Sequence, residues 1–289
     1  MSATFHIPCI LMRDILRVAF TIGQRRKDLR CMLAFDPEKG MQIQQLDENK
    51  FRLMDCCVPK SAFSCFVLKE YIHLFIQVEE FLNILNAGED CATLQMKCRW
   101  QPNKNSADVE LEVVSDDGYF FCQFVSSGDP SECPILGVNG SADEPDAQFV
   151  LDYYTLCRSF SIFKNMDESV FITVTSVSVV LSSDVDEPTA RQQFYSHTFV
   201  PNCRVKSIMC KKYIEQEFAT ALLSTLQEDF PNFENFFYPH FSKEVTVKMV
   251  EKKPLCVTME IIQGGSLSLY YSPLARPTSP PTKKAKIDS

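Results

Sequence analysis

The feature that most constrains this chain is an order of secondary-structure signals that occurs four times: a short strand, an amphipathic helix, then three strands with period-two alternation. Repeats are read first because missing them misreads the whole fold. In the first copy, MRDILRVAFTI (residues 12–22) reads as the helix, with strands near residues 29–35, 41–46 and 51–58. In the second, Val78, Phe81, Leu82 and Leu85 fall at helical spacing in QVEEFLNILNAG, and Gly88 is placed to stop the helix. Strands at 91–100, 107–115 and 118–126 follow. The middle one sets Val109, Leu111 and Val113 against Asp108, Glu110 and Glu112, a half-buried strand by its alternation. Asp116-Asp117-Gly118 supplies the hairpin turn after it.

The third copy opens with FVLDYYTLCRSFSIF (residues 149–163) and continues through SVFITVT, SVSVVLS and QQFYSHTFV. In the fourth, FATALLSTLQ puts Phe218, Leu222 and Leu226 on one helical stripe, and strands at 243–250, 255–262 and 266–273 follow, with Gly264-Gly265 in the last turn. Between the second and third copies lies SGDPSECPILGVNGSADEPDA, rich in Pro, Gly, Ser and Asp, which reads as a connector. The expected organisation is therefore α+β: two similar domains, 1–126 and 148–274, a connector at 127–147, and a basic, disordered tail at 275–289. A length of 289 residues suits two domains.

Composition narrows the function classes. With 45% apolar and 23% charged residues the chain is expected to be soluble and globular. It has only 9 glycines, no GxGxxG and no GxxxxGK[ST], so nucleotide-binding folds of those kinds are not indicated. The longest uncharged apolar run, residues 170–181, is short of the roughly 20 residues that a membrane helix needs. Arg13, Asp14 and Arg17 interrupt the N-terminal region where a signal peptide requires an unbroken apolar run, so an intracellular location is expected. Thirteen cysteines include no CxxC and no CxxH, and most sit in apolar runs such as SCFVL, FFCQF and PLCVTM, where a free cysteine acts as a small hydrophobe. His6, His73, His197 and His240 are scattered, and GxSxG is absent. No catalytic centre, metal or cofactor is expected. A cysteine-rich metal protein or enzyme stays open as a remote alternative.

Taken together, these units resemble the DNA sliding clamps of the proliferating cell nuclear antigen superfamily. The resemblance runs from Thr4 to about Pro273. It is carried by FVLDYYTLCRSFSIFKNMDESVFITV, similar to the start of the clamp's second domain, by EEFLNILNAGEDCATLQM, similar to the second helix of the first, and by GGSLSLYYSP, similar to the C-terminal strand. It implies a clamp fold of two βαβββ units per domain, with helices lining a ring and antiparallel sheets outside. It further implies a non-enzymatic subunit that encircles double-stranded DNA without reading sequence, is opened by a clamp loader, and tethers repair or checkpoint proteins in the nucleus.

On this resemblance Arg13, Arg17, Arg158 and Lys164 are candidate phosphate contacts. Arg13 and Arg17, four apart, share one helix face while Leu11, Ile15, Val18 and Ile22 take the other. Subunit contacts are expected on two edge strands, through Tyr119 and Phe121 in residues 119–125 and through Phe194 and Tyr195 in residues 193–199. A partner-peptide pocket would combine Leu46, Leu136, Val138, Pro239, Tyr271 and Pro273. Glu79 and Glu80 on the second helix depart from a lysine-rich replicative lining. The fourth helix has no lysine in its core turns, although Lys211 and Lys212 precede it. This less basic inner surface, together with a longer chain that ends in RPTSPPTKKAKIDS, favours a subunit of the heterotrimeric DNA-damage checkpoint clamp, with a homotrimeric replicative or viral processivity factor as the alternative. The tail, RPTSPPTKKAKIDS, offers Lys283, Lys284 and Lys286 as a basic nuclear-import signal for importin, and Ser279-Pro280 as a candidate phosphorylation site. No membrane partner is expected.

Overall fold

A computed structural model describes residues 2–86, 92–101, 106–115, 118–127, 144–184, 188, 190–196, 204–229, 241–261 and 264–274. Their elements run β1 (Ser2–Pro8), α1 (Cys9–Ile22), β2 (Arg30–Asp36), β3 (Gly40–Leu46) and β4 (Arg52–Pro59). A 3₁₀ turn (Lys60–Ala62) leads to β5 (Cys65–Val67), β6 (Ile72–Gln77), α2 (Val78–Asn86), β7 (Thr93–Gln101), β8 (Ser106–Ser115) and β9 (Gly118–Ser127). The second half contains β10 (Ala147–Asp152), α3 (Tyr153–Lys164), β11 (Ser169–Val174), β12 (Ser178–Ser182), β13 (Arg191–Tyr195), β14 (Ser207–Cys210) and β15 (Ile214–Ala219). It closes with α4 (Thr220–Ser224), α5 (Leu226–Asp229), β16 (Phe241–Met249), β17 (Leu255–Ile261) and β18 (Ser266–Tyr271). The fold is α+β, mostly antiparallel sheet with few helices.

Three sheets organise these strands. A five-stranded sheet runs β5-β1-β7-β8-β9, a four-stranded one runs β13-β12-β11-β15, and a nine-stranded sheet runs β14-β10-β16-β17-β18-β4-β3-β2-β6. The nine-stranded sheet takes strands from both halves of the sequence. They meet where β18 pairs antiparallel with β4, from Ser266 opposite Cys57 to Tyr271 opposite Arg52.

Alternation along these strands separates two faces. Ile43, Met54, Cys56, Val257, Leu267, Leu269 and Tyr271 are buried on one side. On it α1 packs against β3 and β4, and α3 packs against β10 and β16. The helices show why they sit there: Leu11, Ile15, Val18 and Ile22 of α1 and Leu156, Phe160 and Phe163 of α3 are all buried. The Asp152 carboxylate caps α3 by accepting from the Thr155 backbone N–H at 3.1 Å, a cap worth about 1 kcal/mol. Helices also pair across the sequence, α1 with α2 and α3 with α4, and α1 touches α5.

One element departs from the sequence expectation. The stripe through Phe218, Leu222 and Leu226 suggests a single helix, but β15 continues through Ala219 and pairs Phe218 with Val170. Phe218 is a fully buried strand residue, and the helix behind it is split into two short pieces at Thr225. Its apolar spacing satisfies both periods, and the β11 ladder decides between them. The expected helix stop at Gly88 lies outside the described residues.

The turn entering β3 depends on a glycine. Gly40 has φ +107°, and a Cβ there would meet the Val58 carbonyl oxygen at 2.3 Å and the Lys60 nitrogen at 2.6 Å. Both contacts are with backbone, so the neighbours have nowhere to rotate. Gly40→Ala is expected to lower stability by about 2 kcal/mol or more through combined strain and clash, read as a lower urea midpoint at unchanged m-value. A midpoint equal to wild type would show that the β3–β4 pair shifts to accept the methyl group.

Candidate nucleic-acid and subunit interfaces

The helical face carries less uncommitted positive charge than the sequence suggests. Arg13 and Arg17 are both half-buried on α1. Arg17 lies 3.8 Å from the Asp14 carboxylate, whose side chain is only 3% exposed. It also donates to the Asn86 Oδ1 at the end of α2, at 3.3 Å. This guanidinium therefore compensates a buried acid and joins two helices. On α2, Glu79 is half-buried and Glu80 exposed. Lys211 and Lys212 are not beside α4. They follow β14, where Lys211 pairs with Glu144, and Lys212 pairs with Asp146 at 3.3 Å and Glu251 at 3.1 Å.

On α3 the picture reverses. Arg158 and Lys164 are exposed. Tyr154 (53% exposed), Arg158 and Ile162 (43% exposed) are four residues apart and form one outward stripe. Lys164 lies in the last turn, where the helix dipole also favours a cation.

The outer strands of the two smaller sheets are β9 and β13. Phe120, Phe121 and Val125 of β9 are 42%, 45% and 61% exposed, and Tyr195 of β13 is 43% exposed. Tyr119 stands in β9 opposite Val114. Phe194 is fully buried and faces the core, so its side chain is not available to a neighbouring subunit. The edge beside Tyr195 is already partly used, because its carbonyl accepts from the Val205 N–H at 3.0 Å. Residues one apart in a strand point their backbone groups to opposite sides, so Arg191 and Gln193 share the outward direction of Tyr195. Residues 197–199 of the expected edge lie outside the described residues.

The expected peptide pocket is only partly brought together. Leu46 and Pro273 are half-buried, while Tyr271 is fully buried on the helix side of its sheet and cannot contact a peptide on the opposite side. Leu136, Val138 and Pro239 lie outside the described residues, as do Ser279, Lys283, Lys284 and Lys286. The register instead places Leu46, Leu53 and Tyr270 in one row on the outward face. Phe51 (56%) and Leu274 (42%) are exposed nearby, since the Ser272 N–H donates to the Phe51 carbonyl. Further along the same face is an open depression of about 750 Å³, lined among others by Lys39, Gln42, Asp55, Cys57, Lys248 and Tyr270. Gln42 and Gln44 both donate to the Asp55 Oδ1, at 2.8 and 3.2 Å.

Cys9 and Cys98 are core groups, whereas Cys57 is exposed on the outward face, where desolvation and the neighbouring Asp55 carboxylate raise the pKa of its thiol. Desolvation pushes Cys9 and Cys57 up to about 11 and Cys98 up to about 12. Each stays protonated near neutral pH, which makes it a poor nucleophile and a poor ligand. Among the described residues, no three His, Cys, Asp or Glu side chains converge as a metal site would require, and no helix is long and apolar enough to cross a membrane. No known protein-family model matches the chain, and no curated protein matches it.

Two measurements follow from these contacts. Arg17→Glu puts a second carboxylate beside buried Asp14. It is expected to cost about 2 kcal/mol, read as a fall of several degrees in the thermal midpoint, whereas Arg158→Glu on the exposed stripe leaves the midpoint nearly unchanged. Equal midpoints for the two variants would remove the structural role given to Arg17. The second concerns Asp146, held below 3.8 chiefly by the hydrogen bond from the Glu251 N–H and secondarily by Lys212. A depressed carboxyl stabilises the fold above its unfolded pKa and loses that contribution as pH falls through its folded pKa. Lys212→Ala should raise the Asp146 midpoint while leaving it below 3.8, followed by carboxyl carbon NMR. A midpoint at or above 3.8 would show that Lys212, not the backbone donor, dominates.

Proposed function

We propose that the chain is a non-enzymatic subunit of a DNA-encircling sliding clamp, with the clamp fold of two βαβββ units in each of two domains. The observation that carries this reading is the pairing of a helical layer on one face of a sheet shared by both halves with smaller sheets that end in β9 and β13. Such a body has an inner side of helices, an outer wall of antiparallel sheet, and outer strands, β9 and the unpaired part of β13, at which a ring can be continued. Exposed edges bearing Phe120, Phe121 and Val125 are an aggregation hazard for a lone chain. A neighbouring subunit's strand removes that hazard by completing the ladder.

On this reading double-stranded DNA passes the helical face and is held through its phosphates without base readout. A clamp loader opens the ring, and repair or checkpoint proteins dock on the outward face near Leu46, Leu53, Phe51 and Pro273. The tail addresses the protein to the nucleus through importin, using Lys283, Lys284 and Lys286. Glu79 and Glu80 on α2 make the inner side less basic than a replicative clamp requires, which supports a subunit of a heterotrimeric DNA-damage checkpoint clamp.

The test is size-exclusion chromatography with light scattering, on the chain alone and with other clamp-like chains. A checkpoint subunit is expected to run at its own 33.0 kDa alone and to enter a three-chain assembly only with different partners. A stable assembly of three times 33.0 kDa from this chain alone would instead identify a homotrimeric processivity factor. Phe121→Glu on β9, and Gln193→Pro to delete an outward donor on β13, should each release the chain from the assembly without lowering its thermal midpoint. Unchanged assembly mass in both variants would overturn the assignment of these edges.

A further inference from the structure

Resting on the clamp reading, we infer that DNA is gripped by α3 alone, through Arg158, Lys164 and the Tyr154 hydroxyl, and that the arginines of α1 serve the fold instead. A phosphate contact needs a cation that is exposed and not committed within the protein. Arg17 fails on the second count, being tied to Asp14 and Asn86, and Arg13 is half-buried beside it. The neighbouring α2 offers Glu79 and Glu80, which repel phosphate. The helices α1 and α2 therefore offer a phosphate no exposed, uncommitted cation.

On α3, Arg158 and Lys164 are exposed and have no ion pair among the described residues. Tyr154 lies one turn before Arg158, 53% exposed, with no hydrogen bond to another described residue. Tyrosine hydroxyls are among the ordinary donors to phosphate oxygens. Arginine and tyrosine on one stripe can therefore meet successive phosphates of a strand running across the helix. Duplex DNA would then be held off-centre, against the C-terminal half of the subunit.

The experiment measures binding of the full chain, and of its assembly, to a fluorescein-labelled duplex by anisotropy between about 50 and 200 mM salt. Each phosphate contact contributes roughly 0.9 to the slope of log K against log salt. Arg158→Gln/Lys164→Gln is expected to flatten the slope by about 2 per chain, and Arg13→Gln/Arg17→Gln to leave it unchanged. Tyr154→Phe removes a neutral donor, so it should weaken binding about 2- to 10-fold with no change of slope. Glu79→Lys/Glu80→Lys should steepen the slope by creating contacts where none exist. Thermal midpoints of every variant separate lost binding from lost structure. If the α1 and α3 pairs flatten the slope equally, the restriction to α3 is wrong while the clamp reading stands. If wild type shows no salt-dependent binding, or no variant moves the slope, the DNA-binding reading fails and this inference with it.

Discussion

The antiparallel ladder between β4 and β18 is the contact on which the rest of the structure depends. Its strands lie more than two hundred residues apart in sequence, and their six paired positions turn two half-sheets into one of nine strands. Closing so long a loop is entropically costly, but the cost grows only logarithmically with its length. Behind the ladder, Met54, Cys56, Leu267, Leu269 and Tyr271 are buried in one continuous core with residues from both halves. Each such side chain contributes about 2 kcal/mol of apolar burial. The two halves are thus held by a shared sheet as well as by the connector.

A shared sheet also fixes what each face can be used for. Because side chains alternate, the apolar positions that bury the ladder force their neighbours outward, and on β17, β18, β4 and β3 those neighbours are polar: Thr258, Ser268, Asp55 and Gln44 stand in one row. Thr258 and Ser268 hydrogen-bond at 3.0 Å, and Gln44 donates to Asp55. A polar network satisfied within its own face can remain open to solvent. The apolar outward positions are confined to the Leu46–Leu53–Phe51 end, so apolar and polar surface are separated along the strands.

Much of this was legible in the sequence, for a physical reason. Period-two and 3.6-residue patterns report which side of an element is buried, and α1, α3, β8 and the last three strands fall close to where those patterns put them. What was not legible came from partners remote in sequence. Nothing near Arg17 announces that Asn86 completes its hydrogen bonding. Phe218 fits a helical stripe until the β11 ladder claims it. Phe194 sits in an aromatic edge strand, and only the pairing of Arg191–Tyr195 with β12 shows that the even positions face inward. Tyr271 likewise reads as a pocket residue until the register turns it toward the helices, and the outward row is then Tyr270, Leu53 and Leu46.

On the proposed clamp reading, the charge distribution fits a binding mode that relies on enclosure more than on affinity. The chain carries a net charge of −8, so a phosphate backbone is repelled by the body as a whole at low ionic strength. At physiological salt that repulsion is screened beyond about 8 Å, and only groups in direct reach of DNA decide contact. A protein that bound DNA by affinity would need many uncommitted cations on one face, whereas here the exposed ones on the helical layer are concentrated on α3. A ring that surrounds DNA needs few, because topology prevents escape and each phosphate contact slows movement along the duplex. On the proposed reading, a sparse helical face, with Arg17 of α1 spent on a buried acid, suits a subunit that stays on DNA without being held at any one place.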